Sequence, residues 1–193
     1  EHNTFNVGVL GSSPRRITKK ELLKSNSFFY FSFVKTQYDH PSTEKQRNTD
    51  MLYTSHYSSP LGGITLASNG THLTGLWLDG QQYFPTNLPS PSVSLPVFQE
   101  TQEWLNLYFK GEKPGFTPHL QLQGTPFRMA VWEILKQIPY GETITYKDIA
   151  REIAVQTKQL SMSAQAVGGA VGHNPISIII PCHRVIGSNG SLT

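Results

Sequence analysis

Apolar and polar residues alternate along Leu52–Tyr57, Ile64–Ser68 and Thr71–Leu78, the period of half-buried strands. Ser58-Ser59-Pro60-Leu61-Gly62-Gly63 turns the chain between the first two, and Asn69-Gly70 is a strong hairpin signal before the third. After a loop containing Pro85, Pro89 and Pro91, Pro96 starts a helix. Phe98, Thr101, Leu105, Tyr108 and Phe109 share one face of it, and Gly111 stops it. His119–Leu122 reads as one more strand. Beyond Gln123-Gly124 the period becomes helical. Thr125 caps and Pro126 leads a helix lined by Phe127, Val131, Leu135 and Ile138, which Pro139-Tyr140-Gly141 ends. Glu142–Ile144 leads to a second cap at Thr145 and a helix over Tyr146–Ala154, with Ile149 and Ile153 inward. A polar turn, Gln156–Met162, reaches Ser163, which caps a third helix over Ala164–His173. Helix, short helix, turn and small-residue helix is the layout of a helix-turn-helix unit. Ile176, Ser177, Ile178, Ile179 and Ile180 read as a buried strand that Pro181 stops, and Val185-Ile186 closes on Gly187. The fold class is therefore α+β.

Residues 1–50 follow another grammar. They mix Arg15, Arg16, Lys19, Lys20 and Lys24 with the aromatic residues Phe28, Phe29, Tyr30, Phe31 and Phe33. Thr18 and Glu21 form one possible capping box. The expectation is that Met51 is the natural start and that 1–50 is an extension, poorly ordered. Charge supports the division: 1–50 hold eight Lys/Arg against five Asp/Glu, and 51–193 hold eight of each. The net charge of +3 thus arises in the first fifty residues, and any nucleic-acid contact by the remainder uses local patches. The longest apolar run, Phe28–Val34, is roughly a third of a membrane span. One cysteine excludes an internal disulfide and a thiolate zinc cluster, which points to a reducing, cytoplasmic setting with no membrane and no metal. His56, His72 and His119 lack metal-ligand spacing.

That cysteine, Cys182, follows Pro181 and precedes His183 and Arg184 without a spacer. A thiol beside an imidazole and a guanidinium sits where its pKa can be lowered; a lone buried cysteine is otherwise a small hydrophobe. Upstream, Gly168, Gly169 and Gly172 each cost ~1 kcal/mol against Ala inside a helix. Either the helix packs tightly on its neighbour, or it presses into a narrow DNA groove. Asn174 before Pro175 is driven out of the helical region, so the joint after this helix is sharp.

Pro181-Cys182-His183-Arg184-Val185, with Gly168-Gly169, Asn174-Pro175 and Gly141-Glu142-Thr143 to Tyr146, resembles the 6-O-alkylguanine-DNA alkyltransferases. The resemblance covers 51–193. It implies a ribonuclease-H-like α/β domain over 51–118, then a winged helix-turn-helix DNA-binding domain over 119–193 carrying the active cysteine. By this resemblance the protein is a monomer without cofactor that binds double-stranded DNA containing alkylated guanine. It flips the damaged nucleotide out of the duplex and moves the alkyl group from 6-O-alkylguanine, or 4-O-alkylthymine, to Cys182. An alkyl thioether is not readily hydrolysed, so each molecule would act once. The resemblance makes His183 the base acting through a water, Asn174 the hinge residue and Tyr146 a phosphate contact. Gln165, Ala166, Gly168, Val171, Arg184 and Val185 join the DNA- and base-binding set. Val171 lines the pocket, the carbonyls of Cys182 and Val185 read the guanine edge, and Arg184 is a structural ion-pair partner.

The sequence departs from the family pattern twice. Gln165 stands where an arginine often fills the gap left by the flipped base, which implies weaker, less salt-sensitive DNA binding. Gly187–Gly190 resembles the start of a pocket-closing segment, while the helix whose glutamate orients the histidine has no counterpart through Thr193. Without that glutamate His183 is expected to be a poorer base and the thiol pKa to sit near ~8.5. Two other readings compete: a helix-turn-helix sensor of alkylated DNA that does not repair it, and a Cys-His hydrolase. Sensors of that kind lack the cysteine, and hydrolases bring distant Cys and His together, so both fit less well.

Overall fold

A computed structural model of the chain describes residues 15–16, 52–89 and 94–192. In chain order the strands are β1 (Arg15–Arg16), β2 (Tyr53–Ser59), β3 (Gly62–Ser68), β4 (Leu73–Leu78), β5 (Glu142–Thr145) and β6 (Val185–Ile186). The helices are α1 (Pro96–Phe109), α2 (Pro126–Lys136), α3 (Tyr146–Gln156) and α4 (Ala164–Gly172), with a 3-10 turn at Cys182–Arg184. The capping box at Thr18 and Glu21, the aromatic cluster of 28–33 and Met51 lie outside the described residues.

Strand β3 is the middle of an antiparallel sheet ordered β2-β3-β4, paired Tyr57 with Ile64 on one side and Leu66 with Leu76 on the other. The Asn69-Gly70 turn is present, with Gly70 at φ +107, where glycine is favoured. The returning strand starts at Leu73 and not Thr71, because the Asn69 carboxamide oxygen captures the amides of Thr71 (3.1 Å) and His72 (2.9 Å). Helix α1 begins at Pro96, buries Val97, Phe98, Thr101, Trp104, Leu105 and Tyr108 on the sheet side, and ends before Gly111 at φ +79.

The outer edge of β4 is covered by two later segments. Leu73 exchanges backbone hydrogen bonds with His119 and Gln121, so the strand expected over His119–Leu122 is a single bridge at Leu120. Further along, the Leu76 amide donates to Pro175 (2.9 Å) and the Ser177 amide donates to Leu76 (2.8 Å). Main chain from the far end of the protein thus satisfies an otherwise open sheet edge. The core is correspondingly continuous: Ile64, Leu66 and Leu76 belong to one buried cluster with Trp132, Ile149, Val167, Ile176, Ile180 and Val185.

The second half forms the expected helices from the expected caps. Thr125, Thr145 and Ser163 accept from the amides of Arg128, Asp148 and Ala166, each three residues on. Helices α3 and α4 pack across the turn at 157–162, and Trp132 Nε1 of α2 donates to the Ala170 carbonyl of α4 at 2.8 Å. Strand β5 lies between β1 and β6, parallel to both, pairing Arg15 with Glu142 and Ile144 with Val185.

One expected element is absent. Ile176–Ile180 is a tight turn, not a strand, and Ile178 sits at φ +69. The β-branched run favours extended backbone, but the buried Asn174 side chain overrides it. Its amide nitrogen donates to the carbonyls of Ile176 (3.2 Å) and Ile180 (2.8 Å), while its oxygen accepts from the Ile176 amide (3.0 Å). Three hydrogen bonds to a buried side chain outweigh the ~1–3 kcal/mol of strain at a β-branched residue with positive φ.

Candidate active site and nucleic-acid interface

The turn built on Asn174 delivers Cys182. Its amide donates to Ile180 at 2.8 Å, and the 3-10 turn that starts there places Cys182, His183 and Arg184 in succession. Cys182 and His183 are therefore on a helical turn and not on a strand. Val185 leaves the turn into β6 with its amide bonded to the Cys182 carbonyl, which retains its second lone pair.

The electrostatics correct the expectation of an activated thiol. Burial raises the Cys182 pKa above its ordinary value of 9.0. Hydrogen bonding from the Asn174 side chain, the His183 and Cys182 backbone and the Ser177 side chain opposes burial without overcoming it. His183 is pushed down to about 4, chiefly by burial and then by the Arg184 charge. The resting pair is thus neutral thiol and neutral imidazole, the form a low-dielectric pocket favours.

Arg184 also departs from expectation. It is 8% exposed, donates from one terminal nitrogen to the Pro139 carbonyl (3.0 Å), and lies 5.0 Å from the centre of the Tyr140 ring. Among the described residues no carboxylate pairs with it, and its Nε has no hydrogen-bond partner. Its partners are the Pro139 carbonyl, the Tyr140 face and the Tyr108 phenol oxygen, so it belongs to the wall behind the site and not to an ion pair.

The remaining candidates separate by face. On α4, Val167, Ala170 and Val171 are buried, whereas Gln165, Ala166 and Gly169 are exposed. Tyr146 opens α3, half-buried, and its ring is the nearest neighbour of Gly168, 3.8 Å from where a Cβ would be. A Cβ on Gly169 would meet nothing within 4 Å, and one on Gly172 would come no nearer than 3.7 Å to Tyr83. Packing within the protein therefore does not demand the three glycines. The structure brings together Cys182, His183, Asn174 and Arg184 on the inside, and Gln165, Ala166 and Gly168 along the helix that precedes them.

Three residues of the site escape the sequence reading. Tyr108 on α1 bonds His183, with its hydroxyl 3.2 Å from Nε2. Tyr140 faces Arg184, and Ser177 bonds Gln81 (2.9 Å) while acting on the thiol. The only sequence signals were a tyrosine among apolar helix positions and a serine inside an isoleucine run, both polar groups that need partners when buried. Among the described residues no three His, Cys, Asp or Glu gather as metal ligands, and no helix is long and apolar enough to cross a membrane.

An antiparallel sheet backed by one helix, joined to a capped helix-turn-helix with a half-buried Cys-His pair behind it, defines a two-part DNA-binding protein with a thiol site. Residues 52–122 match the ribonuclease-like domain of 6-O-methylguanine DNA methyltransferase, and residues 126–193 match its DNA-binding domain. A methylated-DNA–protein-cysteine methyltransferase of Mycobacterium bovis is 44% identical over 146 residues, covering 74% of this chain and 83% of the relative. That of Haemophilus influenzae is 41% identical over 143 residues, covering 74% of this chain and 77% of the relative. The crystal structure of Mycobacterium tuberculosis O6-methylguanine methyltransferase matches with a TM-score of 0.62 at 44% identity, over 74% of this chain and 83% of that one. A structure of the Mycobacterium tuberculosis OGT in complex with DNA matches at 0.62 and 42% identity, over 73% of this chain and 82% of that one. The chain belongs to the 6-O-methylguanine DNA methyltransferase family.

Proposed function

We propose that this chain is a methylated-DNA–protein-cysteine methyltransferase that repairs 6-O-methylguanine by moving the methyl group onto Cys182. The observation that carries the assignment is the Asn174 turn, which seats a half-buried cysteine behind a helix whose exposed face carries glycine. Glycines that no protein neighbour requires leave that helix slim enough for a DNA groove. The crystal structure of the Mycobacterium tuberculosis relative in complex with DNA supports DNA as the partner of this chain.

In this reading double-stranded DNA lies against Gln165, Ala166 and Gly168, and Tyr146 contacts a phosphate. The damaged guanine is flipped toward Val171, Val185 and Cys182, since its methyl carbon is out of reach inside the duplex. Sγ attacks that carbon; the S–C bond forms as the C–O6 bond breaks, and the electron pair returns to the purine. His183 takes the thiol proton through a water, and a proton returned to N1 restores guanine. The product thioether has no hydrolytic exit, so one protein repairs one base. The same chemistry would serve 4-O-alkylthymine. Residues 51–118 act as scaffold and 119–193 as the transfer unit, working as a monomer in the cytoplasm.

The test is incubation with a duplex oligonucleotide carrying 6-O-methylguanine, followed by mass spectrometry of the peptide containing Cys182. A gain of one methyl group on that peptide is expected. Tight binding without mass gain would identify a damage sensor, and an unmodified peptide with no preference for the lesion would sink the assignment.

A further inference from the structure

The hydroxyl of Tyr108, on the last turn of α1, lies 3.2 Å from His183 Nε2 across a sequence separation of 75 residues. Its ring is held on several sides. It stacks on Trp104 with centroids 5.4 Å apart, and meets Tyr140 and His183 edge-on at 6.5 and 6.3 Å. Tyr108 is 6% exposed, so the contact is a built one and not a surface encounter. The groups facing His183 are Tyr108 from α1, Arg184 and Cys182 from its own turn, and Tyr140 behind Arg184.

We propose that Tyr108 is a positioning residue for His183, its phenol oxygen accepting from Nε2–H and so leaving the Nδ1 lone pair of the neutral ring free to act as the base. The inference rests on His183 serving as the base. Burial raises the Tyr108 pKa, and the Arg184 charge lowers it to a smaller extent, so the phenol keeps its proton at neutral pH. The guanidinium also acts on the phenol oxygen, whose two lone pairs can serve both donors. When Nδ1 takes up a proton, Nε2–H goes on donating to the same oxygen, so the ring stays in place through the transfer. The strand-rich half of the protein thereby contributes directly to the chemistry of the other half.

The test is Tyr108→Phe, which keeps the ring on Trp104 and removes only the oxygen. Two readouts are compared with wild type: the His183 titration and tautomer by nitrogen-15 NMR of the imidazole, and the pH profile of methyl transfer to Cys182. A hydrogen bond accepted from Nε2–H favours the imidazolium, so its loss is expected to move the His183 titration downward by roughly one pH unit. The acid limb of the rate profile should move the same way, with transfer slowed roughly 3–10-fold and DNA affinity unchanged. A His183 titration unmoved by the variant, or a wild-type ring with its proton on Nδ1, overturns the inference. The titration needs no DNA, so it is independent of the parent reading; His183→Gln transferring at the wild-type rate would overturn that reading instead.

Discussion

Asn174 and Ile178 are bound in one arrangement: the amide that bridges the carbonyls of Ile176 and Ile180 holds the residue between them at φ +69. Removing the bridge frees the strain, strands the buried Ile176 amide and leaves the Ile176 and Ile180 carbonyls only their backbone donors, the amides of Ile180 and Cys182. Asn174→Ala is expected to lower stability by about 3 kcal/mol and to slow methyl transfer at least tenfold, because Cys182 loses its seat. Denaturant titration and single-turnover kinetics check both effects. A variant with normal kinetics would show that the turn holds without its amide.

The glycines of α4 should separate stability from function. Gly169→Ala adds a methyl group to open space and removes a poor helix former, so the fold is expected to gain about 0.5–1 kcal/mol. Binding to duplex DNA is expected to weaken, since the added Cβ stands on the exposed face. Thermal denaturation and a binding isotherm read the two signs. Gain of stability with unchanged affinity would place the DNA elsewhere.

His183 makes the fold sensitive to acid. Its folded pKa of about 4 lies below the ordinary 6.5, so between those values the unfolded chain takes up a proton that the folded chain refuses. Stability from this group is complete above about pH 6.5, declines as pH falls, and levels off below about 4, a change on the order of 2 kcal/mol. His183→Gln should flatten that part of the stability profile. An unchanged slope in the variant would assign the acid sensitivity to other groups.

Gln165 is exposed near the start of α4 and carries no charge. Gln165→Arg is expected to tighten binding to duplex DNA and to steepen its salt dependence by about one unit of log-log slope. Affinity that stays the same across a salt series would remove this residue from the interface.

The sequence was most legible where local rules and burial agree. Pro96 and the caps at Thr125, Thr145 and Ser163 each determine backbone through their own chemistry, and the helices begin where those residues say; Asn69-Gly70 likewise marks its turn, with the strand after it starting two residues late at Leu73. Ile176–Ile180 was misread because the controlling interaction comes from Asn174, outside the run, and propensity yields to a buried amide. The thiol was misjudged for a related reason: adjacency to His183 and Arg184 is visible in sequence, whereas the burial that dominates both pKa values is not. Tyr108 lies too far from His183 along the chain for spacing to join them.

The main-chain bonds between Leu76 and Pro175–Ser177 bear on how the molecule fails. The loop that presents the cysteine hangs from the rim of the other half's sheet, so heat or denaturant that frays β4 unhooks the reactive loop in the same event. Such an architecture leaves little room for a half-folded form that still carries a competent thiol. Inactivation and melting should then trace one curve, and a damaged copy would be silent before it is misdirected.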